Sequence, residues 1–172
     1  MDNRIVVPKI NAISYRAHNH VRSAKVELVG SLRIKIVYPD GDIVDLGIVS
    51  ERVVTLAAID ILVGVLQGGV ATDLQKFKYH ASGQGGTAEN STDVALDSEV
   101  ENREVGTQTS IMPGNYQTAA THAYTATYAI TEHGVFSNPT GPTLFDRSKF
   151  SAVPVDNITQ LQFIYDLTCS GA

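Results

Sequence analysis

Short runs of alternating apolar residues, separated by turn residues, leave this chain few folds other than packed pleated strands. Leu32, Ile34, Ile36 and Tyr38 alternate with Arg33 and Lys35. A two-residue period sends one set to a core and the other to water. Pro39-Asp40-Gly41-Asp42 follows, where proline presets φ and glycine tolerates its positive values. Val44, Leu46 and Ile48 resume the alternation, which predicts a β-hairpin. Further strands are expected around Phe77 and Tyr79 and over residues 105–111, 116–124, 128–136, 144–150 and 161–169. The acidic stretch 93–104 reads as a surface turn or short helix. In the last strand Leu161, Phe163, Tyr165, Leu167 and Cys169 share a face. That favours a buried thiol for the single cysteine over a bridge to another chain.

One segment breaks the two-residue period. Thr55 can cap a helix over residues 56–67, with Ala58, Leu62, Val65 and Leu66 on one face and Ile59 and Ile61 widening it. Gly68-Gly69 ends it. Asp60 interrupts this apolar stretch, which is too short to span a bilayer. The helix is expected to plug the core. The fold class is therefore mainly β: an antiparallel β-sandwich over residues 25–172 with one core-packed helix, preceded by an extended basic N-terminal arm, residues 1–24. A length of 172 residues suits one domain with an arm, and 43% hydrophobic against 18% charged residues excludes general disorder.

Charge divides the chain unequally. Residues 1–35 carry seven basic and two acidic side chains, +5, which leaves −10 for the rest of a chain whose total is −5. Arg4, Lys9, Arg16, Arg22 and Lys25 are the candidate partner-binding residues, an arm docking on an acidic surface of another protein. Segment 93–104 is one such surface; a merely solvated basic face is the plain alternative. Nucleic acid is not an expected partner, since the acidic body would repel phosphates and the arm has few aromatics to stack on bases. No membrane partner is expected either. The N-terminus lacks the apolar run of a signal peptide, so synthesis without export is expected.

Candidate chemistry is sparse. Gly83-x-Gly85-Gly86 could bring backbone N–H groups to an anion, but no Lys-Ser/Thr pair follows it and no helix opens after it, so a tight loop is the better reading. Glu132-His133 could be an acid–base pair, yet neighbours on a strand face opposite ways. Glu132 is expected instead to accept from backbone donors at a bend, with Gly134 permitting a bulge. His18 and His20 have no third ligand nearby for a metal, and Asp93, Asp97, Glu99, Glu101 and Glu104 lack the order of a calcium loop. No catalytic residue, cofactor or metal is expected, and the chain does not read as an enzyme.

The run Ala129-Ile130-Thr131-Glu132-His133-Gly134-Val135-Phe136 and its upstream companion Lys78-Tyr79-His80-Ala81-Ser82-Gly83-Gln84-Gly85-Gly86-Thr87-Ala88-Glu89 resemble a family of small proteins encoded among bacteriophage virion genes. Its members pair a hydrophobic helix with a strand ending in a Gly/Thr/Ala-rich loop and an Ile-Thr-Glu-x-Gly-Leu/Val-Phe element. The likeness runs from about residue 53 to the C-terminus. It implies a virion structural protein, made in the host cytoplasm. The expected form is a capsid decoration or cement protein that binds the major capsid protein and other copies of itself, as a trimer by analogy with decoration proteins. A neck, baseplate or fibre-base component is the alternative. A carbohydrate- or receptor-binding module, with Tyr15, Tyr79, Tyr116, Tyr124 and Tyr128 stacking on sugars, is a third reading.

Overall fold

A computed structural model describes residues 26–171 except Val53 and Val70. The arm expected over residues 1–24, with Arg4, Lys9, Arg16, Arg22 and Lys25, lies outside the described residues, as do Tyr15, His18 and His20.

Two antiparallel sheets pack face to face. Strands β1 (Val26–Val37), β2 (Ile43–Arg52), β5 (Thr107–Thr109), β6 (Asn115–Ala123) and β9 (Gln160–Gly171) form one sheet in the order β2-β1-β9-β6-β5. Strands β3 (Tyr79–Gly83), β4 (Glu99–Val105), β7 (Tyr128–Phe136) and β8 (Leu144–Val155) form the other, in the order β4-β3-β7-β8. The expected hairpin is β1–β2. Its partner β9 pairs with the whole of β1, from Val26↔Gly171 to Val37↔Gln160.

The core follows the period that predicted it. Leu32, Ile34, Leu161 and Phe163 meet Ile130, Phe150, Val153 and Val155 between the sheets, all buried. Removing each such large apolar side chain from water is worth about 1.5–3 kcal/mol. The single α-helix among the described residues, α1 (Leu56–Leu66), packs through Ala58 on a second buried cluster, Phe77, Val135, Phe145 and Tyr165. Thr55 Oγ1 accepts from Ala58 N at 3.2 Å, the expected cap. Gly68, at φ +98°, and Gly69 donate to Val65 and Gly64 carbonyls at 3.2 and 2.9 Å, the left-handed ending that glycine favours.

Several expectations change. Segment 93–104 is not a turn or helix throughout, since Glu99–Val105 is strand β4 on the edge of its sheet. Phe77 precedes β3 and is buried beside Ala58 and Phe145. α1 is less of a plug than expected: only Ala58 is fully buried, and Ile59 and Leu66 are exposed. Val44, Leu46 and Ile48 are exposed. Two register shifts between Leu32 and Lys35 bracket Ile48, which pairs with Arg33 on the outer face, while Val44 pairs with Ile36 on the inner face near the hairpin tip. A one-residue slip turns a side chain to the other face, and a second slip turns the next ones back. Cys169 is exposed rather than buried, because β9 extends there past the strands that cover its centre.

Candidate functional site

The two stretches singled out in the sequence meet at one carboxylate. Glu132, on β7, is fully buried. Its Oε1 accepts from Gly85 N and Ser98 N, both at 2.9 Å, and its Oε2 from Asp97 N at 3.2 Å. Arg147, on the neighbouring strand β8, donates to Oε2 through Nε at 3.0 Å, with Nη2 at 2.8 Å. The guanidinium also pairs with Asp93 at 2.9 Å and Asp97 at 2.8 Å, and its side chain is 2% exposed. A buried ion pair survives only when its remaining donors and acceptors are met, and here they are. Hydrogen bonds from Thr87, by its hydroxyl and its N–H, and the Arg147 pair hold the Asp97 carboxyl down at about 2.

The glycines explain themselves at this point. A Cβ on Gly83 would come within 2.5 Å of Glu132 Oε1, and one on Gly85 would overlap the carboxylate outright. The glycine-rich loop does receive an anion, and that anion is the protein's own Glu132. Thr131 Oγ1 donates to Gly85 O at 2.8 Å and Lys149 Nζ to Gly86 O, so the loop is tied at both sides. Gly134 has a different role from the one expected. The register shifts of the β7–β8 pair fall on either side of it, while its own Cβ would strike Leu144, Phe136 and Leu96 at 2.8–3.0 Å. It makes room for packing.

His133 faces away from Glu132, as strand alternation requires, and joins a second buried cluster between the sheets. Its Nε2 is 2.9 Å from His80 Nδ1, and His80 Nε2 is 3.0 Å from Thr118 Oγ1 on the opposite sheet. Phe163 stacks on His133 with centroids 4.5 Å apart and meets His122 edge-on at 5.2 Å. Burial, then repulsion from His122, lowers His80 to about 3, and burial lowers His122 to about 4. Burial, then His80 and His122, holds His133 well below the ordinary 6.5. These are neutral rings at pH 7, used as polar packing. Asp146 is their acidic counterpart: burial pushes it up to about 8, with Ser148 and Tyr165 donating to it at 3.1 and 3.2 Å.

No group of three His, Cys, Asp or Glu is placed to hold a metal ion among the described residues. An apolar cavity of about 260 Å³ lies beneath α1, between Leu62, Phe77 and Phe145. The hydroxyl on its wall, Tyr116, is already spent on Phe77 O at 2.5 Å, so it offers little to orient a substrate. Much of the acidic segment is engaged within the body: Asp93 and Asp97 hold Arg147, Glu99 holds Arg103 at 2.7 Å, and Glu101 accepts from Thr125 at 2.8 Å, while Glu104 is exposed. Tyr124, offered above as a sugar platform, is buried and donates to Ser82 Oγ at 3.2 Å.

Among the described residues, two groups of exposed apolar side chains each gather on one element. Ile43, Val44, Leu46 and Ile48 are exposed on the edge strand β2, and Leu56, Ile59, Val63 and Leu66 on the outer side of α1. Ile43 to Ile48 pair with β1 from Val37 back to Arg33, while the α1 patch lies by Val26, so about 23 Å of strand separates their near edges. The sequence reading did not anticipate either patch, nor Arg147; an Asp-Arg pair inside the expected strand 144–150, between Phe145 and Phe150, was the available signal for the latter, since such charges are buried only when paired. No helix among the described residues is long and apolar enough to cross a membrane. Comparison of the chain with protein-family models, with characterised proteins and with solved structures gave no match.

Proposed function

We propose that this chain is a structural protein of a bacteriophage particle, a decoration or cement protein that binds the major capsid protein and other copies of itself. The observation that carries the reading is the pair of separated apolar surfaces, the β2 edge and the outer side of α1, on a sandwich clamped from within. A shell component needs at least two contacts, one to its own copies and one to the lattice, and weak contacts repeated by symmetry sum to a stable shell. The chemistry of the Ile-Thr-Glu-x-Gly-Val-Phe element works inward, holding a loop, which suits a scaffold rather than a reaction centre. The resemblance of that element to phage virion proteins supplies the particle. The basic residues of the arm, Arg4, Lys9, Arg16, Arg22 and Lys25, are proposed as a further contact to the capsid.

Quantitative mass spectrometry of purified virions tests this. Hundreds of copies, in a simple ratio to the major capsid protein, are expected. A handful in multiples of three, six or twelve would move the protein to the neck, baseplate or fibre base, and absence from particles would end the virion reading.

A further inference from the structure

Helix α1 reads Leu-Ala-Ala-Ile-Asp-Ile-Leu-Val-Gly-Val-Leu, apolar all round with Asp60 its one charge. A helix of that kind is buried on all sides in the finished molecule. Here one side is bare: Leu56, Ile59, Val63 and Leu66 are between 37% and 82% exposed. They stand three, four and three residues apart, the a and d positions of a heptad, which form the narrow seam by which one helix packs on another. The residues that face the sandwich form a separate stripe, with Ala58 buried and Ile61 packed beside it.

The seam is continuous with the start of β1, since Val26, Ile59, Val63 and Leu66 line one shallow groove. Together these side chains leave on the order of 400 Å² of apolar surface, the size of a monomer's largest and often functional patch and about half of what one partner brings to a standard interface. That area is too small to be the whole contact and is the right size for its centre, with polar neighbours as the rim. A helical seam takes a helix, and α1 is the one α-helix among the described residues. We infer that the occupant is α1 of a second copy, packed seam to seam about a symmetry axis. A patch that meets its own image needs no second complementary surface on the molecule. This deepens the self-association in the proposed function and does not depend on which particle the protein joins.

Light scattering on the purified full chain, at concentrations up to on the order of 100 μM, reads it directly. The expected mass is that of two or three copies. Leu66→Lys, at the most exposed seam position, and Ile59→Lys should each shift the chain to monomer, raising the dissociation constant at least about tenfold, with the circular dichroism spectrum of the folded state unchanged. Val94→Lys, at an exposed apolar residue off the helix, should leave the oligomer intact. A monomeric full chain would overturn the inference; if Ile59→Lys then lowered its melting temperature, the seam would be covered by residues 1–25 of the same chain. An oligomer that survives both helix substitutions would place the interface elsewhere and overturn it as well. Virion copy number is a separate measurement, so either proposal can fail alone.

Discussion

Glu132 accepts three backbone N–H groups and an arginine, and that concentration of bonds makes it the residue on which the outer face of its sheet depends. Glu132→Gln keeps the size but removes the charge, leaving Arg147 buried against the more exposed Asp93 and Asp97. Breaking a buried pair from one side costs about 3–5 kcal/mol. Urea unfolding at neutral pH should show a loss of that order, and a loss under about 1 kcal/mol would mean the two aspartates suffice. Gly85→Ala should be comparably damaging, because its Cβ would overlap the carboxylate. The expected role of Glu132, acceptor of backbone donors, holds in the structure. Its partners were not legible, because Arg147 and Ser98 lie 15 and 34 residues away in sequence.

Among the elements, α1 and β2 show how far a local pattern reaches. Thr55 caps α1 and its hydroxyl also donates to Leu144 O at 2.6 Å, so it joins the helix to β8. Thr55→Ala should therefore cost about 2 kcal/mol, the upper end for a lost cap; a cost of only a few tenths in the thermal melt would show that the buried second bond adds nothing. On β2 the alternation Val44-Leu46-Ile48 predicted a strand correctly, but these three side chains do not share one buried face. Periodicity reports that a strand has two kinds of face, while the bulge that decides which one points inward is set by pairing with β1. Under the proposed capsid contact, Ile48→Asp on this edge should leave the fold intact and weaken co-sedimentation with capsids; undiminished binding would remove β2 from that contact.

For the whole molecule, the interior between the sheets holds three neutral histidines and one neutral aspartic acid, and they oppose each other in pH. Each histidine has a folded pKa below its unfolded 6.5, so its contribution is fully present above about pH 6.5 and drains as pH falls towards 4 and 3. Asp146 has a folded pKa near 8, above its ordinary 3.8, so its contribution is present at low pH and drains as pH rises to about 8. Three groups outweigh one below 6.5, and only Asp146 acts above it. The urea midpoint should rise from pH 4 to about 6.5 and decline towards 8. A flat response between 6.5 and 8 would show Asp146 ionised in the folded protein, and no loss towards pH 4 would show the histidines accepting protons where they stand.

The sequence by itself determined the class of fold. A period of two, punctuated by Pro, Gly and Asn, specifies strands and turns through local sterics alone, and Thr55 and Gly68 mark the ends of the helix for the same reason. It pointed to a tight loop at Gly83-x-Gly85-Gly86 and to Glu132 as an acceptor of backbone donors, but not to their meeting. Only the tertiary structure decided that, because Gly83, Gly85, Glu132 and Arg147 come together through the pairing of β3, β7 and β8. Burial was decided at the same level. Cys169, Leu66 and Ile48 are apolar enough for a core, but the core ends before it reaches them. Hydrophobicity says what a side chain gains from a neighbour, and only the packing of distant segments supplies that neighbour.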